Sequence, residues 1–132
     1  METIPPEAQD LLSDEKKAFA VLATLMEDGS PQATPIWFDT DDGLIRINTA
    51  RGRVKDENLH TRPRVSLCIM DPDDPYRYMM VRGVVVGEAE EGARDHIDRL
   101  AWKYRGEEEY SSYKGETRVI YKVRPESAFY KP

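Results

Sequence analysis

The chain has 132 residues, of which 39% are hydrophobic and 33% are charged, and its formal net charge is -6. This length supports the core of one domain rather than two, so we expect a single domain over residues 1–132. No apolar run approaches the roughly 20 residues that a membrane-spanning helix needs, and the acidic balance argues against general nucleic-acid binding. Residues 1–7 lack the basic start and apolar centre of a secretory signal, which indicates a cytoplasmic protein.

The first part of the chain predicts a short helix followed by three strands. The helix spans 6–12, with a proline in its first turn. A nearly continuous apolar run over 19–26 predicts a buried strand, and a turn leads back into a strand over 32–38. A further turn leads to a strand over 44–48, so the three strands should form an antiparallel meander. Because Pro35 cannot donate a hydrogen bond to a ladder, its strand should lie at a sheet edge or a bulge.

The rest of the chain predicts two helices and three strands. Proline at position 63 ends the first helix near Thr61, because the residue before a proline is biased away from helical angles. An apolar stripe at helical spacing predicts the second helix. The strands are expected over 65–70, 76–88 and 117–123, with a further extended piece over 125–130, and the second helix over 90–105. Together these elements predict a small antiparallel β-barrel of about six strands with helices against it.

The cysteine and histidine content indicates neither a disulfide nor a metal site. Cys68, the single cysteine, lies in an apolar run, where a buried and unreactive thiol is expected. His60 and His96 are isolated in charge-rich helical segments. Arg82 stands inside the longest predicted strand. A charged side chain there reaches an exposed edge, pairs with a carboxylate or lines a ligand groove, and of these outcomes pairing is the commonest and the groove the less favoured.

Residues 48–59 form a polar turn that runs into a helix, which is a favourable place for an anion. Free backbone N–H groups at a helix start and the positive end of its dipole attract a phosphate, and Arg53 and Lys55 would add charge beside it. Between residues 51 and 64, five basic residues outnumber two acidic ones in a chain that is acidic overall. Such a basic island fits a small anionic ligand better than an extended polyanion. A solvated helix start with ordinary surface arginines is the alternative.

The order and spacing of several short motifs resemble a known family. The motifs are Val21-Leu22-Ala23-Thr24, Asp28-Gly29, the stretch 31–38, Asp42-Gly43, Asn48-Thr49 with Arg53 and Lys55, Asn58-Leu59, the stretch 63–67, Arg82-Gly83 and the stretch 118–125. After residue 15, the chain is similar to the pyridoxamine-phosphate-oxidase-like split-barrel family of flavin and deazaflavin oxidoreductases. The resemblance implies a mainly β fold, a split β-barrel of about six antiparallel strands with two to three flanking helices.

The resemblance also implies a homodimer with FMN or the deazaflavin coenzyme F-420 in a groove between the two barrels. Tyr78 falls where the pyridoxamine-phosphate oxidases carry a glutamine that touches the flavin, which is a departure. The C-terminal tryptophan and arginine pattern of those oxidases is absent, which argues against vitamin B6 chemistry. By the same resemblance the cofactor phosphate would be held by Asn48, Thr49, Arg53 and Lys55, and its ring would be lined by Thr34, Pro35, Ile36 and Trp37.

The expected function is that of an oxidoreductase in which a reduced ring passes a hydride to a small planar acceptor. No side chain stands out as a catalytic acid or base, and the cofactor or solvent would supply the proton. The alternative is a non-catalytic module that binds a flavin or a haem-like ligand for storage or sensing. If the cofactor is F-420, its acidic tail would need further cations, and the candidates are Arg51, Arg62, Arg77 and Arg82.

Overall fold

The computed structural model describes residues 3–132, and its centre is one curled sheet of seven antiparallel strands. Met1 and Glu2, which belong to the segment 1–7 considered above for a secretory signal, lie outside the described residues. The strands are β1 Phe19–Leu25, β2 Pro31–Ile36, β3 Phe38–Asp41, β4 Leu44–Ala50, β5 Arg64–Asp71, β6 Asp74–Ala89 and β7 Arg118–Lys131. The helices are a 3₁₀ helix over Pro6–Leu12, α1 over Val54–Thr61 and α2 over Ala93–Arg105. Within residues 3–132, no helix combines the length and apolarity needed to cross a bilayer.

The mainly β fold, the antiparallel half-barrel sheet and the flanking helices confirm the prediction. The strand order is β2-β1-β5-β6-β7-β4-β3, and β2 is an edge strand, as the proline at position 35 requires. Seven strands are present because the expected strand over 32–38 divides at Trp37 into β2 and β3.

The predicted meander is wrong, because β2 and β3 lie at opposite edges of the sheet. β2 pairs with β1, whereas β3 pairs with β4. Side chains of α2 engage the backbone just after the division: Lys103 Nζ donates to the Phe38 carbonyl at 2.7 Å, and the Tyr104 hydroxyl accepts from the Phe38 N–H at 3.4 Å. These contacts hold the chain where β2 ends its pairing with β1, at Ile36, and where β3 begins to pair with β4.

The inner face of the curled sheet forms the core, which the 3₁₀ helix covers at one side. Leu22, Ile47, Leu67 and Tyr121 are among its fully buried side chains, and Leu11 of the 3₁₀ helix packs into the same cluster. The other strand residues of this core cluster follow the same rule, in which every second side chain of a strand faces inward. The periodicity that predicted the strands therefore also identified the core side of each.

The outer face of the same sheet carries an apolar band that nothing covers. Val21, Cys68, Met80 and Phe129 are register neighbours on β1, β5, β6 and β7. Phe129 is 55% exposed and Met80 is 40% exposed. Cys68 is half-buried on this band rather than in the core, which corrects the expectation of a buried thiol. Its partial burial raises the pKa of the thiol. We call these residues, together with Phe19, the apolar outer face.

Candidate functional site

A groove of about 340 Å³ lies where β1, β2, the β4–α1 turn, α2 and the start of β7 come together. Six of the nine residues expected at a cofactor site line it, although they come from two separate parts of the chain. They are Pro35, Ile36, Trp37, Asn48, Arg53 and Lys55. The fold therefore brings the proline-containing edge strand and the polar turn into one cavity.

The other three expected residues do not line the groove. The hydroxyl oxygens of Thr34 and Thr49 are buried and have no hydrogen-bond partner within residues 3–132. Tyr78 lies on β6 between Met70 and Lys131 of the neighbouring strands. The two threonine hydroxyls thus keep unused hydrogen-bonding capacity, and Tyr78 belongs to a different part of the sheet.

Three cations, Arg53, Lys55 and Arg118, face the groove and form what we call the open cluster. The side chains of Arg53 and Lys55 make no hydrogen bond or ion pair with any described residue, whereas Arg118 Nη1 donates to Glu116 at 2.9 Å. Burial, followed by the nearby charges of Arg53 and Arg118, lowers the pKa of Lys55. Mutually repelling cations with so little compensation favour an anion between them.

Arg51, two residues before Arg53, has the opposite environment. It donates to Glu88 at 2.8 Å, to Glu90 at 2.9 Å, and to Asp56 and the Tyr121 hydroxyl at 3.1 and 3.2 Å. These carboxylates, with Glu88 as the largest contributor, raise the pKa of Arg51. Tyr121 in turn donates to Asp56 at 2.6 Å. We call this group the saturated cluster, because its charges are already compensated.

None of the four arginines considered for the acidic tail of F-420 lines the groove. Arg62 donates to the Leu25 carbonyl and to Asn58, and Arg77 is held by Asp10 and Asp71 together with other acceptors. Arg82 is exposed on the outer side of β6 and has no carboxylate partner in the described part of the chain, contrary to the commoner expectation for it. The arginines that do line the groove are Arg53, Arg105 and Arg118.

A hydrogen-bonded chain of buried side chains fixes Arg118. Asp39, which is fully buried, accepts from His96 Nε2 at 2.9 Å, and His96 Nδ1 accepts from Asn48 at 3.0 Å. Asn48 then accepts from Arg118 Nε at 2.8 Å. Burial opposes ionisation of Asp39, but hydrogen bonds from His96 and Arg46 outweigh it and lower its pKa to about 2. Asn48 therefore orients Arg118 with its side chain, a role that the resemblance did not suggest.

The aromatic side chains of Trp37 and Tyr110 form part of the wall of the groove. The Trp37 ring stacks on Tyr104 with centroids 5.5 Å apart and planes 8° apart, and Tyr110 meets it edge-on at 6.1 Å. The Arg105 guanidinium lies 5.0 Å from the Trp37 ring centroid. A flat aromatic surface beside a guanidinium suits a planar, conjugated ligand.

Sequence reasoning missed the residues that α2, the following loop and β7 contribute. Ile97 and Leu100 were expected only as core packing, and they do pack there, but they also line the groove. Arg105, Tyr110 and Arg118 gave no signal, because nothing in their local sequence connects them with the turn at residues 48–59. No group of three or more potential metal-ligating side chains occurs within residues 3–132.

A curled antiparallel half-barrel with an edge strand and a cationic strand–helix turn facing one groove defines a split-barrel protein. The chain belongs to the pyridoxamine 5'-phosphate oxidase family, whose model matches residues 4–131. That family includes flavin- and F-420-dependent oxidoreductases. No curated protein sequence matches the chain.

Solved structures show the same fold over nearly the whole chain. An F420 reductase is 31% identical, with a TM-score of 0.83 and coverage of 96% of this chain and 98% of its own. A putative pyridoxamine 5'-phosphate oxidase from Listeria innocua is 18% identical, with a TM-score of 0.70 and 94% of each chain covered. A conserved hypothetical protein from Mycobacterium tuberculosis is 24% identical, with a TM-score of 0.69 and coverage of 96% and 84%. At their identities, the last two relatives support the fold alone.

Proposed function

We propose that this protein is an oxidoreductase that holds FMN or coenzyme F-420 in the groove and transfers a hydride to a small planar acceptor. The observation that carries the proposal is the open cluster, which presents three cations to a groove that also has an aromatic wall. The 31% identity with an F420 reductase favours F-420 over FMN.

The open cluster supplies what a cofactor phosphate needs. Arg53 and Lys55 have no protein partner to displace, and Arg118 is already oriented by Asn48. The first turn of α1, which begins at Val54, has no side-chain cap. The Glu57 N–H donates to the Arg53 carbonyl, and the three N–H groups before it have no acceptor among the described residues, so they are also available. Burial and, after it, the charges of Arg53 and Arg118 lower the pKa of Lys55, and a phosphate bound there would offset both effects by pairing with its ammonium group.

The rest of the groove would position the ring and exclude water. Ile97 and Leu100 supply an apolar floor, and Trp37 and Tyr110 supply flat or edge-on aromatic contacts. When bound, the cofactor supplies the hydride chemistry, and the chain supplies orientation and charge. No carboxylate or histidine is among the described residues that line the groove, so the proton would come from solvent or from the cofactor.

We also propose that the functional unit is a homodimer joined through the apolar outer face. Phe19 and Pro35 line the groove, and Pro35 is the register neighbour of Val21 on that face. A second copy seated there would bury the exposed Met80 and Phe129 and would wall the open side of the groove. Analytical ultracentrifugation should show a dimer for the natural protein and a monomer for Met80→Glu, and a monomeric natural protein would contradict this proposal.

The first experiment is a pair of titrations of cofactor-stripped protein with FMN and with F-420, followed by ring fluorescence. One of them should bind, and Lys55→Ala should weaken that binding by about 2 kcal/mol, roughly thirtyfold. Arg64→Ala is the matched control, because Arg64 is 80% exposed and lies away from the groove. Unchanged affinity in Lys55→Ala, or no binding of either cofactor, would exclude this use of the groove.

A second measurement separates an enzyme from a carrier. Oxidation of the reduced cofactor by menadione is followed with and without the protein. An enzyme accelerates the reaction, whereas a storage or sensing protein that sequesters the cofactor leaves its rate unchanged or slows it.

A further inference from the structure

A second chamber of about 420 Å³ adjoins the groove and shares Phe19, Trp37 and Arg105 with it. Lys16 and Lys17 of the turn before β1, Tyr104 of α2 and Pro72 complete its lining. We call it the cationic chamber. It is separate from the open cluster, since none of Arg53, Lys55 and Arg118 lines it.

Two of the chamber's cations are available to a ligand. Lys17 is exposed and makes no hydrogen bond or ion pair with any described residue. Arg105 has only a distant carboxylate, Glu107 at 3.9 Å. Lys16, by contrast, is committed to Asp10 at 3.7 Å and Asp71 at 3.4 Å.

The backbone at Lys17 supports a functional reading of this residue. Its φ is 52°, in the left-handed region that non-glycine residues rarely adopt. Such residues are enriched at binding and catalytic sites, where the surrounding structure holds them in place. Here the left-handed residue is the one that brings an unpaired ammonium group to the chamber.

The aromatic wall of the chamber is rigidly held. The Tyr104 hydroxyl donates to the Ala18 carbonyl at 2.9 Å, which ties α2 to the turn before β1. Trp37 stacks on Tyr104, and Phe19, at the chamber's rim, is 55% exposed. An aromatic surface beside Lys17, which has no partner among the described residues, and Arg105, whose carboxylate partner lies 3.9 Å away, matches a flat, conjugated ligand that carries a negative charge.

We propose that the cationic chamber binds the acceptor and that this acceptor is a planar conjugated molecule bearing a carboxylate. The inference rests on the proposed function, because the cofactor would occupy the adjoining groove, which shares Trp37 with the chamber. The acceptor would gain the hydride that the reduced cofactor gives up, together with one solvent proton, and would be reduced by two electrons. Lys17 and Arg105 would select the charge of the acceptor, and the aromatic wall would select its shape.

The test compares two quinone probes of the same shape, anthraquinone-2-carboxylate and the neutral 2-(hydroxymethyl)anthraquinone. The chain has two tryptophans, and Trp102 is exposed, so a Trp102→Phe background leaves Trp37 as the fluorescent reporter of the chamber. The carboxylate should quench Trp37 at a lower concentration than the neutral probe. Lys17→Gln and Arg105→Gln should each weaken carboxylate binding by about threefold to fivefold and leave the neutral probe unaffected.

Controls for this test come from the same chain. Lys17→Arg, which keeps the charge, should restore carboxylate binding, and Arg64→Gln, which removes an exposed charge elsewhere, should not change it. Equal affinity for the two probes, or equal losses in Lys17→Gln and Arg64→Gln, would overturn the proposal. A loss of carboxylate binding in Lys55→Ala as large as that in Lys17→Gln would also overturn it, because the probe would then lie on the open cluster.

The acidic tail of F-420 is a second possible source of carboxylates, and the cofactor titrations distinguish it. If the chamber binds the acceptor, Lys17→Gln leaves the affinity for FMN and for F-420 unchanged. If Lys17→Gln weakens F-420 binding and F-420 displaces the carboxylate probe, the chamber holds the tail and the proposal is overturned. Failure of the proposed function has a different signature, which is loss of the Lys55 effect on cofactor affinity whatever the probes do.

Discussion

Arg51 and Arg53 stand two residues apart in one turn, yet their side chains have opposite environments. Arg51 is surrounded by Asp56, Glu88, Glu90 and the Tyr121 hydroxyl, whereas the Arg53 side chain makes no hydrogen bond or ion pair with any described residue. A cation with a full set of partners holds the fold together, and a cation without partners in a groove is available to a ligand. The number of partners, rather than the local sequence, separates the two roles.

The largest effect is expected from removing the anion at the centre of the saturated cluster. Asp56→Ala should lower the free energy of unfolding by about 3 kcal/mol, because the Gly52 N–H loses its acceptor and Arg51 and the buried Tyr121 hydroxyl each lose one of theirs. Urea unfolding measures the change, with the exposed Asp73→Ala as the control. A loss no larger than in the control would mean that the cluster does not stabilise the fold.

A smaller effect is expected in acid from Asp39, which supports the open cluster through His96 and Asn48. Its folded-state pKa of about 2 lies below its unfolded value of 3.8, so its stabilisation is full above the unfolded value and is lost as pH falls through the folded one. That contribution amounts to about 2 kcal/mol. The stability difference between the natural protein and Asp39→Asn should shrink by this amount between about pH 5 and pH 2. A pH-independent difference would contradict the assignment.

The two arginines of the comparison provide a matched pair of variants. Arg51→Gln should cost about 1 kcal/mol of stability, because Glu88 and Asp56 lose a charge-assisted partner. Arg53→Gln should change stability by less than about 0.5 kcal/mol and weaken cofactor binding by about tenfold. Thermal unfolding measures the stability change of each variant, and the fluorescence titration measures its cofactor affinity. Similar stability losses in the two variants would remove the distinction between the clusters.

The smallest effect is the pH dependence of cofactor binding above neutrality. Because burial and neighbouring cations lower the pKa of Lys55, its ammonium loses its proton at a lower pH than an ordinary lysine. As pH rises above neutrality, cofactor affinity should therefore begin to fall at a lower pH than an ordinary lysine would give, while a cofactor phosphate stays ionised. Lys55→Arg should show no such decline, since a guanidinium remains charged there. An equal decline of cofactor affinity in the natural protein and in Lys55→Arg would mean that a group other than Lys55 titrates.

The sequence predicts the parts of this structure that depend on local chemistry. The edge position of β2 follows from Pro35, and the end of α2 follows from Gly106, whose φ of 68° is favourable only for glycine. The polar turn with Arg53 and Lys55 is equally local, and it does face the groove. Proline, glycine and helix-start chemistry act within a few residues, so a sequence displays them directly.

The parts that were missed depend on which distant segments meet. Arg51 is neutralised by Glu88 and Glu90, which lie 37 and 39 residues further along the chain. Arg118 joins the groove through a hydrogen bond to Asn48, 70 residues away. The stripe on α2 predicts a buried face, but it does not show that part of this face lines a cavity. These contacts between distant segments depend on the strand order, which no local sequence pattern encodes.

Trp37 is also the single residue that separates the two edges of the sheet. Ile36 ends one edge strand and Phe38 begins the other, so the edges of a seven-strand sheet must come within one residue of each other. The peptide chain itself thereby closes the half-barrel as a covalent tether. The two edges of the sheet therefore cannot move apart without displacing the backbone of Trp37, the residue whose side chain lines both cavities, so the shape of the ligand-binding region depends on the closure of the sheet.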